Sequence, residues 1–212
     1  ETTVGAGLPI ISTLKDLIKT GDKVVKIEGV FSGTLSYIFN EYALGQNFSD
    51  IVVQAKEKGY TEPDPREDLN GMDVARKALI LAREIGYILN MSDLHVDGMV
   101  SDTLLEAPSV DAFMALLSQE DEVYARRMVA AREQGQVLRY MATVKNGACQ
   151  VGLQSVPLDS PTGSLTGPDN IVVCTTARYK DNPLVIRGPG AGPEVTAGGL
   201  FGDLIKAVRV ID

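Results

Sequence analysis

Glu62, Asp73 and Lys77 pose the chemical question in this sequence. They fall in TEPDPREDLNGMDVARK, residues 61–77, where eight ionisable side chains share seventeen positions. Residues four apart on a helix project from one face, so Asp73 and Lys77 can meet, and a loop carrying Glu62 can bring a second carboxylate alongside. One ammonium and two carboxylates suit a small zwitterion. A carboxylate can hold a substrate ammonium, and a lysine beside an acid can deliver a proton to a carbonyl oxygen as that oxygen becomes an alkoxide. An amino-acid aldehyde fits both groups. The same spacing also describes an ordinary solvated pair, worth roughly a few tenths of a kcal/mol on an exposed helix, and spacing alone leaves both readings open.

The elements that must position these groups are legible around them. Pro63 and Pro65 bias Glu62 and Asp64 away from helix, so residues 62–66 are expected to form an extended, rigid loop. A helix starting at Asp68 or Asp73 and running to about Leu89 follows from Val74, Ala78, Leu81 and Ile85 at spacings of three or four. Upstream, ISTLKDLIKTG, TLSYIFNEYAL and IVVQAKEKG read as helices stopping near Gly21, Gly45 and Gly59, and VVKIEGVFS reads as a strand. Downstream, VDAFMALLS and DEVYARRMVAAREQG read as helices. VLRYMATVKNGACQVGLQSV reads as a hairpin turning at Asn146-Gly147, with Leu138, Tyr140, Ala142 and Val144 alternating against Arg139, Met141, Thr143 and Lys145. NIVVCTTA and PLVIRG supply two more strands, and VTAGGLFGDLIKAV a last helix. The expected class is α+β, a mixed sheet backed by helices.

Composition excludes several roles. A net charge of −8, with no basic run longer than Arg126-Arg127, lacks the electrostatic footprint that nucleic acid requires. No apolar stretch approaches the roughly 20 residues needed to span a bilayer, so a soluble, non-membrane protein is expected. The two cysteines give no metal cluster, and Cys174, inside the apolar run IVVCTTA, reads as a reduced, buried thiol. The single histidine, His95, has no serine or cysteine elbow nearby and reads as structural. GPGAG, residues 188–192, could turn backbone N–H groups toward a cofactor. Its G-x-G-x-G spacing and the lack of a following strand separate it from the dinucleotide fingerprint, and a plain tight turn is the competing reading.

Four stretches in order, VGAGLPIISTL, IEGVFSGTLSYIFNEY, GYTEPDPREDLNGMDVARKALILAREIG and GPGAGPEVTAGGLFGDLIKAV, resemble the substrate-binding and catalytic part of homoserine dehydrogenase, of the fungal or bifunctional aspartokinase/homoserine dehydrogenase type. The resemblance runs from Glu1 to near Val208 and is weaker from about 92 to 165. It implies NAD(P)H-dependent interconversion of L-aspartate 4-semialdehyde and L-homoserine in the pathway to threonine, methionine and isoleucine. Lys77 is then the proton donor, with Glu62 and Asp73 binding the amino acid, Asp68 a supporting carboxylate and Thr34 a further substrate contact. Gly59 and Gly192 are placed against a nicotinamide cofactor, NADP or NAD.

The resemblance further implies a sodium ion held by a Gly-rich turn over residues 1–8, through Glu1, Val4, Ala6 and Leu8. It gives a substrate-binding, catalytic and dimerisation domain over 9–192 and a helix over 193–212 that normally packs on a nucleotide-binding domain. No strand-GxGxxG-helix unit occurs here, so the chain reads as part of a longer polypeptide with a Rossmann domain elsewhere, joined to an aspartokinase where the bifunctional type is the one resembled. Alone it is expected to be inactive, to leave an apolar patch on its last helix and to form a homodimer. A cytoplasmic location is expected, with a plastid as the alternative. A non-catalytic dimerisation or binding module of the same ancestry is the other class of function, and retention of Glu62, Asp73 and Lys77 together favours the enzyme.

Overall fold

In the computed structural model, residues 1–211 are described, the last three of them by backbone alone. The Gly-rich turn leads into α1 (Ile10–Lys19), β1 (Val24–Val30), α2 (Gly33–Tyr42) and α3 (Phe48–Glu57). A one-turn helix α4 (Arg66–Leu69) then precedes α5 (Met72–Glu84). The middle of the chain holds β2 (His95–Val96), α6 (Asp102–Leu105), α7 (Val110–Leu116) and α8 (Asp121–Glu133). Four elements complete it: β3 (Gln136–Lys145), β4 (Ala148–Pro157), β5 (Asp169–Thr176) and β6 (Leu184–Pro189), before α9 (Pro193–Ile211). The strands form one mixed sheet in the order β2-β4-β3-β1-β5-β6, antiparallel except for the β2–β4 pair. The α+β class is therefore observed.

The register explains the core. Leu138, Tyr140, Ala142 and Val144 of β3 face the helical layer together with Ile27 of β1 and Val172 and Cys174 of β5, against residues from α1, α2, α3, α5, α7 and α8. Burial pushes the Cys174 thiol up to about 12, as befits an inert core side chain. The hairpin turns at Asn146 (φ +53°) and Gly147 (φ +78°), the two left-handed residues of a type I′ turn.

Three expectations need correction. The opposite face of β3 is not simply polar: Met141 is fully buried and Arg139 nearly so, because residues 158–168 fold over that end of the sheet. Met141 packs there with Val30, Leu165, Ile171 and Val173, while the Arg139 guanidinium donates to the carbonyls of Thr162, Gly163 and Leu165. Of the two starts expected for the helix running to about Leu89, the later one holds, as α5 from Met72; the earlier is cut off by the break at Asn70-Gly71, and the helix ends at Glu84, before Gly86 (φ +94°). Gly71 adopts φ +74°, and a Cβ there would lie 1.9 Å from the Tyr140 hydroxyl, so the break is imposed by the sheet beneath. Finally, the extended loop ends sooner than expected: Pro65 is already helical (φ −60°, ψ −16°) and α4 begins at Arg66, since a proline is well tolerated where a helix has no N–H to satisfy.

Candidate active site

Lys77 sits on the second turn of α5, whose Val74, Ala75, Ala78, Leu81 and Ala82 are buried. Its backbone therefore has little freedom. The ammonium donates to Asp73 Oδ2 at 2.7 Å and to the Phe31 carbonyl at 2.9 Å, where the chain leaves β1. Lys77 is only 21% exposed while Asp73 is 56% exposed. The lysine is thus drawn toward the protein while its partner stays in water, whereas an ordinary solvated pair leaves both heads exposed. Three N–H groups on the ammonium and two recorded acceptors leave one donor for a ligand.

Four of the other charges of residues 61–77 form two groups. Asp64 and Arg66 form a clasp, with guanidinium–carboxylate distances of 2.6 to 3.0 Å, and Arg66 also donates to the Ala107 carbonyl at 2.7 Å. That clasp holds the proline loop against the segment after α6. Glu62 and Asp68 instead face Asp73 and Lys77 across a cavity of about 560 Å³, lined also by Phe31, Thr34, Gly59, Tyr60, Asn170, Gly190 and Ala191. The Glu62 N–H donates to Asp68 Oδ2 at 2.8 Å, and the Thr34 hydroxyl donates to the Tyr60 carbonyl at 2.7 Å. Burial lifts the Asp68 carboxyl above the ordinary carboxylate range, and the Glu62 and Asp73 charges push the same way, partly offset by the Glu62 N–H and the nearby Thr34. Three carboxylates and one ammonium leave the site with surplus negative charge, which favours a cationic group on the ligand.

All five candidates for proton transfer and substrate binding, Lys77, Glu62, Asp73, Asp68 and Thr34, thus line one cavity. Gly59 lines it too, and Gly192 lies one residue past Ala191, both with positive φ. Gly190 belongs to the GPGAG turn already singled out, whereas Asn170 escaped the sequence reading. Asn170 opens β5 with its side chain buried, and an asparagine heading the apolar run IVVC was the available signal.

The turn over residues 1–8 lies elsewhere, against α9. Glu1 accepts from the N–H groups of Ile11 and Ser12, at 3.1 and 2.7 Å, and so caps α1 with a carboxylate. Its side chain is spent on that cap. Val4 and Ala6 are buried, Ala6 with φ +50°, and the Leu8 N–H donates to the Gly5 carbonyl. His95 is exposed on β2, 3.3 Å from Asp97 Oδ1, and Cys149 is buried. No helix among the described residues is long and apolar enough to cross a membrane.

A helix-backed mixed sheet thus holds a lysine and three carboxylates over one cavity. Residues 9–205 match the family model described as homoserine dehydrogenase, and the chain belongs to that family. It is 54% identical over 208 residues to a chloroplastic bifunctional aspartokinase/homoserine dehydrogenase of Zea mays, covering 97% of this chain and 23% of that protein. It is 48% identical over 221 residues to a homoserine dehydrogenase of Emericella nidulans, covering 99% of this chain and 60% of that one. The chain thus spans between about a quarter and three fifths of the length of these relatives. Among solved structures, a Candida auris protein described as of unknown function superposes with a TM-score of 0.94 at 45% identity, over 99% of this chain and 60% of that one. A hyperthermophilic archaeal homoserine dehydrogenase in complex with NADPH superposes with a TM-score of 0.71 at 26% identity, over 98% and 54%.

Proposed function

We propose that this chain is the substrate-binding and proton-donating half of a homoserine dehydrogenase, which interconverts L-aspartate 4-semialdehyde and L-homoserine. The observation that carries the reading is the part-buried Lys77 ammonium, held by Asp73 and the Phe31 carbonyl with one N–H to spare over a cavity that Glu62 and Asp68 also line. A nicotinamide cofactor, NADP or NAD, would supply or accept the hydride at the carbonyl carbon. Gly59 and Gly192 are the positions proposed to lie against it, and the cavity's size leaves room beyond a four-carbon amino acid.

The chain's own residues would do the rest. Glu62 and Asp73 bind the substrate ammonium, Asp68 adds negative charge behind them, and Thr34 contacts the substrate. With the ammonium anchored there, the aldehyde oxygen faces the free N–H of Lys77. As that oxygen gains charge, Lys77 donates a proton and the product leaves as an alcohol. In the reverse direction, neutral Lys77 accepts the hydroxyl proton.

The domain reading extends beyond the site. Residues 9–192 form the substrate and dimerisation domain, and the expected 193–212 helix, of which residue 212 lies outside the described residues, meets a dinucleotide-binding domain; an aspartokinase belongs to the same polypeptide, as in the plant relatives. Dimerisation would use the sheet face away from the helices, where Lys26, Glu28, Thr143, Gln154 and Thr175 are only partly buried. A sodium ion would be held by backbone carbonyls of Glu1, Val4, Ala6 and Leu8, since the Glu1 carboxylate is engaged by α1. Those of Val4 and Ala6 carry no recorded hydrogen bond among the described residues.

In a polypeptide joining residues 1–212 to a dinucleotide-binding domain, Lys77→Ala should lower kcat for semialdehyde reduction about 100-fold or more with cofactor affinity nearly unchanged. Turnover near that of the parent would overturn the assignment.

A further inference from the structure

Asn170 is the one place among the described residues where a buried side-chain polar atom has no partner. Its side chain is almost fully enclosed, and Oδ1 accepts no hydrogen bond. The orientation of the amide is fixed from the other side: Nδ2 donates to the Phe31 carbonyl at 3.3 Å, and exchanging the two ends would set oxygen against oxygen. The Phe31 carbonyl also accepts the Lys77 ammonium. Asn170 and Lys77 therefore share one acceptor and line one cavity. Gly190 closes over the carboxamide so tightly that a Cβ there would fall 2.0 Å from Asn170 Cγ and Nδ2 and 2.4 Å from Oδ1. Any side chain at position 190 would therefore collide with this amide.

An enclosed acceptor beside the lysine calls for a donor brought by a ligand, because native proteins rarely leave such atoms unpaired. The chemistry at hand narrows the choice. An amino-acid aldehyde offers only an acceptor at its reacting end, and its ammonium is drawn to the three carboxylates across the cavity. The remaining donor that must come close to Lys77 is the primary carboxamide on the ring that carries the hydride. We infer that Asn170 Oδ1 accepts the carboxamide N–H of a nicotinamide ring lying against Gly190 and Ala191, so that one asparagine ties ring orientation to the carbonyl that holds Lys77. The identity of the ring rests on the proposed dehydrogenase reaction; the open acceptor does not.

The test compares two cofactors in the polypeptide that joins this chain to a dinucleotide-binding domain. In the 3-acetylpyridine analogue a methyl group replaces the amide nitrogen, keeping the carbonyl and removing the donor. Fluorescence titration of the two reduced cofactors should show the parent protein preferring the carboxamide form by about 10-fold, the scale of one net hydrogen bond. Asn170→Leu should bring that ratio to within about 2-fold of unity. A structural role alone would weaken both cofactors equally and leave the ratio unchanged, which would overturn the inference, as would a parent protein with no preference. Should Asn170→Leu fail to fold, Gly190→Ala provides the same readout by pushing the carboxamide out of place. A loss of homoserine affinity with an unchanged cofactor ratio would assign the acceptor to the substrate and likewise overturn it. A collapsed ratio alongside an unimpaired Lys77→Ala enzyme would retain this contact and remove only the proton-donor reading.

Discussion

α5 and α9 both carry apolar stripes, but α5 buries Val74, Ala75, Ala78, Leu81 and Ala82 under the sheet and neighbouring helices, whereas α9 leaves Leu200, Phe201, Leu204 and Val208 more than half exposed. The first helix carries Lys77 and the second carries none of the candidate groups for proton transfer. Chemistry at a fixed distance needs a helix that cannot roll, and burial of one face supplies that. An apolar stripe left in water marks a surface meant for another body, here proposed to be a dinucleotide-binding domain.

The contrast can be broken at either end. The largest effect is expected from Leu81→Ala in α5: loss of a fully buried leucine should cost about 3 kcal/mol and lower Tm by roughly 6–12 °C in a chain of this size. A shift below about 2 °C would mean that α5 is not the rigid member of the pair. A smaller, pH-dependent effect sharpens the picture of the site. The Asp68 carboxyl is lifted in the folded state, so the folded protein binds more protons than the unfolded one, and stability is lost as pH rises from the unfolded value of about 3.9 through the lifted one. Asp68→Asn should therefore raise Tm at pH 7 and change it little at pH 3, while weakening homoserine binding at pH 7. Thermal melts at the two pH values check the first part and calorimetry the second. The smallest effect belongs to Leu204→Ser on α9, within about 0.5 kcal/mol for the 212-residue chain. A clear destabilisation there would show that a second copy already covers the stripe.

Much of this site was legible because its spacing is local. Asp73 and Lys77 lie one helical turn apart, and the Asn146-Gly147 turn fixes the register of β3 and β4 unaided. What escaped depends on contacts between distant segments. Gly71 breaks the expected helix because Tyr140 stands beneath it, some seventy residues on. Arg139 is buried because residues 158–168 fold back over the sheet, which alternation along one strand cannot reveal. β2 has two residues and no pattern of its own; it exists because β4 offers an edge. Asn170 was hidden for the same reason, since Phe31 and Gly190 give it meaning only in three dimensions. The resemblance carried what spacing could not, namely the hydride and its carrier.

The contact between α9 and the N-terminal turn joins close backbone approach to the Thr2 side chain, which a Cβ on Gly199 would meet at 2.8 Å, and to the Glu1–Lys206 pair at 4.0 Å. A Cβ on Gly7 would meet the Val195 carbonyl oxygen at 2.1 Å, and one on Gly199 would lie 3.1 Å from the Gly7 Cα. Such a crossing buries little hydrocarbon, so detaching α9 should contribute little to the heat capacity of unfolding, which scales with newly wetted apolar surface. The helix can therefore open as a unit of its own beneath a thermal transition that reports only on the sheet and α5. Its amides would exchange with solvent through that local opening, long before the core yields.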